Sequence, residues 1–308
     1  MPEVSIIIPT LDRYVDLQHT LRDLERQSYQ DYELLVIDQS EHRKEALVRS
    51  WNSRLRYFAS SQKSASAGRN LGIRMAKGSI LLFIDDDVII DDPDFLKKHV
   101  RHYVDPDVPG VVGASLEKRF DQQLRYERHR RSFRPAVGWL YFPSNYGCFC
   151  RVAVGRSNNL SVRKELAVAV GGMDENYRKG AHREEADFCL RVVERAGLFL
   201  FDPDARLIHV GNSQGGIRSW NTSSFLKAQH HFEGAVYFIL KMVSWRHYPD
   251  HWVAALRYLL LNRPILIRPK LLFQGLRRLF KAWRYAKVIL QKGPVYLNMD
   301  PSRHGEQK

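Results

Sequence analysis

The run Ile80-Leu81-Leu82-Phe83-Ile84 is wholly apolar, and Asp85, Asp86 and Asp87 follow it at once. The two halves make opposite demands. A continuous apolar run suits a strand buried on both faces, whereas carboxylates almost never enter a core unpaired. The acids must therefore emerge where the strand leaves its sheet. Three negative charges clustered there raise one another's pKa unless a cation joins them. Hard oxygen donors suit Mg²⁺ or Mn²⁺, and such an ion would in turn suit a diphosphate. The same acids also fit a solvated turn or a helix N-terminus, since Asp91, Asp92 and Asp94 come next. The tripeptide alone leaves both readings open.

The surrounding pattern indicates the sheet. Val4–Thr10 (VSIIIPT) reads as a buried strand ending at Pro9 and Thr10, and Tyr32–Asp38 (YELLVID) as a second. Between them, residues 13–27 read as a helix with Leu17, Leu21 and Leu24 on one face. A polar helix near 43–50, a short strand near 56–59 and a serine-capped helix over 66–76 precede the Ile80 strand. Alternating strands and helices predict βαβ units in an α/β fold with a mostly parallel, doubly wound sheet. Ligands of such sheets bind at the carboxyl ends of the strands, where Thr10, Asp38 and the three aspartates all fall.

Further on, 111–116 reads as a strand, 162–170 as a helix closed by Gly171-Gly172, and 206–210 as a short strand bearing His209. Residues 184–196 read as a helix with Phe188, Val192 and Val193 inward. Residues 118–134 hold seven Lys and Arg interleaved with Phe120, Tyr126 and Phe133. They fit either a solvated helix face or a loop reaching toward an anionic ligand.

A chain of 308 residues, 44% hydrophobic, is long enough for one large α/β domain plus an extension. Cys148, Cys150 and Cys189 show no CxxC spacing or secreted disulfide pattern, so a reducing, cytoplasmic location is expected. The first residues enter a strand-like run without a signal-peptide pattern, and no apolar stretch approaches the length of a spanning helix.

Charge divides the chain. Of the net +14, residues 218–308 carry 16 Lys and Arg against 4 acids, a balance of +12 that leaves +2 elsewhere. A boundary is accordingly expected between a domain at 1–217 and a basic helical extension at 218–308. In that extension, 271–290 reads as a helix with Leu272, Leu276, Leu279, Trp283, Ala286 and Leu290 on one side. Arg277, Arg278, Lys281 and Arg284 lie away from that stripe. The pattern fits an interfacial helix peripheral to an anionic membrane surface. It fits equally a helix packed on the preceding domain with a solvated basic face. No nucleic acid is expected as a partner, because the charge lies outside the sheet domain and no nucleic-acid-binding signature is present.

Taken together, several segments resemble family 2 glycosyltransferases of the GT-A fold. They are VSIIIPT at 4–10, VID at 36–38, AGRNLGI at 67–73, ILLFIDDD at 80–87, SNNLSVRKE at 157–165, GGMDE at 171–175, EEADFCLRV at 184–192 and LIHVG at 207–211. Their order and spacing are the family's, and they cover about residues 4–211. The resemblance implies an inverting, metal-dependent transfer of a sugar from a nucleoside diphosphate to a hydroxyl of a glycan or lipid-linked acceptor, with Mg²⁺ or Mn²⁺ as cofactor. A nucleotidyltransferase on a related sheet is the rival enzyme class.

The resemblance also implies roles. Pro9, Thr10 and Asp38 would line the nucleotide pocket, Asp38 accepting from the N3–H of uracil or thymine and so favouring UDP or dTDP. Arg69, at a helix start that suits anions, would pair with the pyrophosphate or with an aspartate. Asp85 would face the ribose, Asp86 would sit with the donor, and Asp87 would bind the metal with His209 as second ligand. Ser157, Asn158 and Asn159 would contact the donor sugar or the acceptor. In the pair Glu184-Glu185, Glu185 takes the position of the general base, although the family usually has an aspartate there. Glu184 would border the acceptor or sugar, and Asp187 would either contact the acceptor or cap its helix.

Overall fold

β1 (Val4–Thr10), β2 (Tyr32–Asp38), β3 (Leu55–Ala59) and β4 (Ile80–Ile84) lie side by side in the order β3-β2-β1-β4, all parallel. The computed structural model describes residues 1–126, 143–180, 182–212, 215–216, 226–261, 265 and 267–299. The crossovers are α1 (Tyr14–Glu25), α2 (Glu45–Arg49) and α3 (Ala65–Met75). Leu17, Leu21 and Leu24 of α1 are buried, and Ser64 caps α3 by accepting from the Ala67 amide. Gly72 lets α3 sit close to β1, since a Cβ there would fall 2.3 Å from Ile7 Cγ2. Register sets the site: Ile7 is opposite Phe83 and Thr10 is opposite Asp38. The strand ends are thereby level, with Thr10 beside Asp86.

The rest of the sheet is mixed. β5 (Val88–Ile89), β6 (Gly110–Glu117), β7 (Cys150–Val152), β8 (Asn159–Arg163) and β9 (Phe199–His209) extend it. β8 is antiparallel to both β4 and β6, β6 is parallel to β9, and β5 and β7 pair antiparallel with β9. Two expectations change here. The segment 162–170 is not one helix: Asn159–Arg163 is the central strand β8, and only α5 (Lys164–Ala169) is helical. A short apolar stretch carries no period long enough to separate the two states. The strand bearing His209 begins at Phe199, before Pro203, which the sheet accommodates through a register shift opposite Gly113 and Ser115. Of the basic stretch 118–134, Lys118–Phe120 forms a 3₁₀ turn, and the part from 127 onward lies outside the described residues.

α4 (Phe95–Val100) and α6 (Glu184–Ala196) complete the layers. Two cores flank the sheet. Ile6, Ile8, Leu34, Val36 and Leu82 point to α1 and α4. Ile7, Leu35, Leu81 and Phe83 point to the other side, where Phe188 and Val192 of α6 join them. The same second core takes in α7 (Gln229–Met242), α8 (Tyr248–Leu259) and α9 (Pro269–Lys292) through Phe232, Val236, Phe238, Leu259, Ala282 and Ala286. Among the described residues, no helix is long and apolar enough to cross a membrane.

A buried polar cluster locks α7 to the sheet domain. Lys241 Nζ lies 2.7 Å from Asp174 Oδ2 and 2.6 Å from Asp187 Oδ2. Tyr237 donates to Asp174 at 2.7 Å, and Arg191 Nε lies 2.7 Å from Asp187 Oδ1. Burial lowers the lysine's pKa, but the two aspartates outweigh it and the net shift is upward. Removing one partner from such a cluster leaves buried charge uncompensated. Lys241→Met is therefore expected to destabilise the protein by about 3–5 kcal/mol, read by chemical denaturation; an unchanged midpoint would contradict the anchoring role.

His99 of α4 is buried, with Nε2 2.9 Å from Asn159 Oδ1 and Nδ1 2.9 Å from Ser161 Oγ. Burial depresses its pKa from 6.5 to about 4. The unfolded chain thus takes up this proton before the folded chain does. The contribution is present above pH 6.5 and is lost as pH falls through about 4, to a limit of about 3 kcal/mol. Thermal melting between pH 7 and 4 is expected to show a weaker acid dependence in His99→Gln than in the wild type; superimposable profiles would rule His99 out as the source.

Candidate active site

The three aspartates leave β4 into a ring of cations. Arg13 Nη1 lies 2.9 Å from Asp87 Oδ2 and 3.4 Å from Asp86 Oδ1. Arg69 bridges two acids, with Nη2 3.2 Å from Asp85 Oδ1 and Nη1 3.0 Å from Glu184 Oε1. Thr10 Oγ1 donates to Asp86 Oδ2 at 2.7 Å. Even so, burial and the neighbouring Asp87 push Asp86 up to about 7, against the pull of Arg13 and Thr10. Four carboxylates converge here from β4 and α6, and their number accounts for the buried cations.

His209 arrives by strand pairing. It stands opposite Val88 in the β5–β9 pair and opposite Glu117 in the β6–β9 pair. Its Nε2 lies 3.4 Å from Asp87 Oδ1 and 3.9 Å from Asp85 Oδ2, while Nδ1 lies 3.1 Å from Glu117 Oε2. Burial lowers its pKa, but Asp87 and Glu117 together carry it up to about 9. Burial raises Glu117, yet His209 and Arg156 hold it down at about 2. Arg156 Nη1 lies 2.6 Å from Glu117 Oε1. Glu117 orients the imidazole as an outer carboxylate orients a metal-ligating histidine.

Donor atoms of Asp85, Asp87 and His209 all lie within 4.8 Å of one another. Asp87 Oδ1 is buried with no hydrogen-bond partner of good geometry among the described residues. Two carboxylates and an imidazole, with Asp87 Oδ1 buried and facing His209 Nε2 at 3.4 Å, fit a divalent cation that accepts mixed oxygen and nitrogen donors. Asp85, expected only on the ribose side, thus belongs to the set that could hold the ion.

A cavity of about 1360 Å³ opens over this cluster. Its wall includes Pro9, Thr10, Arg69, Asp85, Asp86 and Asp87, then Ser157, Asn158, Glu184, Glu185 and His209. It continues onto α7 and α8 through His231, Phe238, Asp250, His251 and Tyr258. The two glutamates diverge because successive helical residues point about 100° apart. Glu184 turns inward to Arg69 and to Ser66 Oγ, at 3.2 Å. Glu185 lines the cavity and makes no hydrogen bond or ion pair with a described residue. Arg183, at φ 78°, turns the chain sharply into α6 just before them. A half-buried carboxylate on a cavity wall can accept a proton.

Three expected site residues are not brought to the cavity wall. Asp38 is fully buried, accepting from Tyr14 and Tyr57 hydroxyls at 2.7 Å each and from the Ser40 amide at 2.9 Å. Its carboxylate is committed within the fold, which removes it as the acceptor for a base N3–H. Asn159 donates to the Ala114 and Ala205 carbonyls at 2.8 Å each and meets His99, so it ties β8 to its neighbours. Asp187 belongs to the Lys241 cluster and does not line this cavity.

The sequence reading missed Arg13, Glu117 and Gln39. Gln39, next to Asp38, does line the cavity. Its Nε2 donates to the Ser64 carbonyl at 2.8 Å and to that of Gln62, which fixes the amide orientation. Its Oε1 has no hydrogen-bond partner among the described residues. A strand's side chains alternate in direction, so the residue after a strand-end acid is always the alternative. Glu117 occupies a strand end as Asp38 does, and that position was its signal in the sequence.

An uncharacterized protein of Sinorhizobium fredii, y4gI, is 28% identical over 231 residues, covering 70% of this chain and 25% of its own length. The GalNAc(5)-diNAcBac-PP-undecaprenol beta-1,3-glucosyltransferase of Campylobacter jejuni is 29% identical over 93 residues, 28% of this chain and 30% of its own. The chain thus spans less than a third of either relative. The mannosyltransferase PcManGT from Pyrobaculum calidifontis, solved in complex with GDP-Man and Mn²⁺, superposes with a TM-score of 0.58 at 17% identity, over 95% of this chain and 79% of its own. That likeness is one of fold. The family described as Glycosyl transferase family 2 matches residues 5–159, about half of the chain. With a GT-A architecture and a matched family sequence, the chain belongs to glycosyl transferase family 2.

Proposed function

We propose that this glycosyltransferase moves a sugar from a nucleoside diphosphate to an acceptor hydroxyl, on a glycan or a lipid-linked glycan, with inversion at the anomeric carbon. One observation carries the reading. A single cavity runs from the Asp85, Asp87 and His209 cluster, past the unpaired Glu185, to a wall made by α7 and α8. The donor diphosphate belongs at the first part, and the acceptor at the last.

Asp85, Asp87 and His209 would hold Mg²⁺ or Mn²⁺, and PcManGT, of the same fold, was solved with a nucleotide sugar and Mn²⁺. When bound, the ion supplies positive charge to the departing diphosphate. The chain's own groups do the rest. Arg69 holds Asp85 and Glu184 in place, and Arg13 neutralises Asp86 and Asp87 so that the carboxylates can crowd together. Gln39 Oε1 accepts the ring N–H of the base, which suits uracil or thymine and hence a UDP or dTDP donor. Ser157 and Asn158 offer hydroxyl and amide groups to sugar hydroxyls.

Glu185 takes the proton of the acceptor hydroxyl. The freed oxygen pair forms the new bond to the anomeric carbon as the bond to the diphosphate oxygen breaks. The leaving pair goes with the nucleoside diphosphate, and one displacement from the opposite face inverts the centre. A nucleotidyltransferase would release pyrophosphate instead, which separates the rival reaction directly.

The test is a metal-supplemented screen of nucleotide sugars, read by release of nucleoside diphosphate. Asp87→Ala is expected to abolish metal-dependent turnover. Glu185→Gln should retain metal-dependent nucleotide binding while the rate falls by about 10²–10⁴-fold; full activity in Glu185→Gln would overturn its role as base. Gln39→Ala is expected to weaken nucleotide binding by about tenfold, the loss of one buried hydrogen bond. Unaltered affinity in that variant would remove Gln39 from base recognition.

A further inference from the structure

α9 carries two apolar stripes. The inner one, Gly275, Ala282, Ala286 and Ile289, is buried, and the helix packs along α7. The outer one, Phe273, Leu276, Phe280, Trp283 and Leu290, is 37–63% exposed. At 100° per residue the five fall within an arc of about 100°. The stripe expected from sequence follows the seam between the two: Ala286 is buried, Leu272 and Leu279 are half-buried, and Leu276, Trp283 and Leu290 face outward. The packed-helix reading and the interfacial reading each describe one face of the same helix.

The charges sort with the outer face. α9 holds seven Lys and Arg and no acid. Lys270, Arg277, Lys281 and Arg284 are exposed along one border of the outer stripe, and Lys287 is exposed within it. None of these five forms an ion pair with a described residue. Lys287 Nζ stands 4.0 Å from the Trp283 ring centroid, and the Arg277 guanidinium 6.0 Å from that of Phe273.

We propose that this face of α9 docks the enzyme on an anionic lipid surface. The apolar side chains enter the boundary between headgroups and acyl chains, and the cationic border meets the anionic headgroups. Long Lys and Arg stems extend their charges outward while their methylenes stay beside the apolar stripe. Charge complementarity selects this occupant. A second copy of the chain would set one acid-free cationic helix against another. Single-stranded nucleic acid needs open aromatic faces, but Phe280 and Trp283 stack on each other with centroids 6.3 Å apart, and Lys287 covers Trp283. The proposal goes beyond the reading of the active site, and its test needs no turnover.

The experiment is co-sedimentation of the full chain with vesicles of phosphatidylcholine alone or mixed with phosphatidylglycerol, at low and physiological salt. Binding is expected only with the anionic lipid and should weaken with salt. The double variant Phe280→Ser/Trp283→Ser and the triple variant Arg277→Gln/Lys281→Gln/Arg284→Gln are each expected to lower the partition coefficient at least about tenfold. These side chains are exposed, and unchanged thermal melting verifies the fold of each variant. Absence of binding to anionic vesicles at low salt, or undiminished binding in both variants, would overturn the proposal. So would sedimentation velocity showing a dimer that Phe280→Ser/Trp283→Ser dissociates, or binding of single-stranded nucleic acid without binding of vesicles.

Discussion

The crowding of carboxylates at the carboxyl end of β4 is the constraint from which the rest of the site follows. A buried strand delivers three aspartates to one point, and α6 adds Glu184. Such a cluster persists only if cations are built in around it. Arg13 comes from the turn after β1 and Arg69 from α3. Asp86 is still pushed up to about 7 with those cations in place. Asp85, Asp87 and His209 are the donors arranged to receive a further positive charge.

The same logic separates acids that serve chemistry from acids that serve the fold. Asp174 and Asp187 stand in motifs that read as functional, yet both are consumed by Lys241 of α7. They couple the helical C-terminal part to the sheet. That coupling has a consequence for the cavity, because α7 and α8 form its far wall. Glu185 sits between, on the first turn of a helix whose positive end favours a carboxylate.

Much of the site was legible because its demands are local. An apolar run ending in three acids can be satisfied in few ways, and the alternation of strands and helices placed Thr10 beside it, while the resemblance to family 2 glycosyltransferases supplied Arg69 and Glu185. What stayed illegible depends on contacts between distant strands. Glu117 acquires its role only through the register that sets it opposite His209. Asp38 and Gln39 are adjacent, and only the turn after β2 decides that the amide faces the cavity while the acid faces two tyrosines. The end of β8, Val162 and Arg163, reads as the start of a helix because burial from both neighbouring strands, rather than its own pattern, makes it a strand. In α9 a single stripe was expected where packing on α7 takes one face and leaves a second apolar face outside.

The central claim is that a divalent ion held by Asp85, Asp87 and His209 is what lets this acidic strand end receive a diphosphate. Calorimetric titration of a nucleoside diphosphate into the protein, with Mn²⁺ and again with a chelator, tests it most directly, with His209→Ala as the comparison chain. The account predicts binding that depends on Mn²⁺ and is weakened when His209 is lost. Equal affinity in the chelator, or Mn²⁺-dependent binding indifferent to His209, would contradict it.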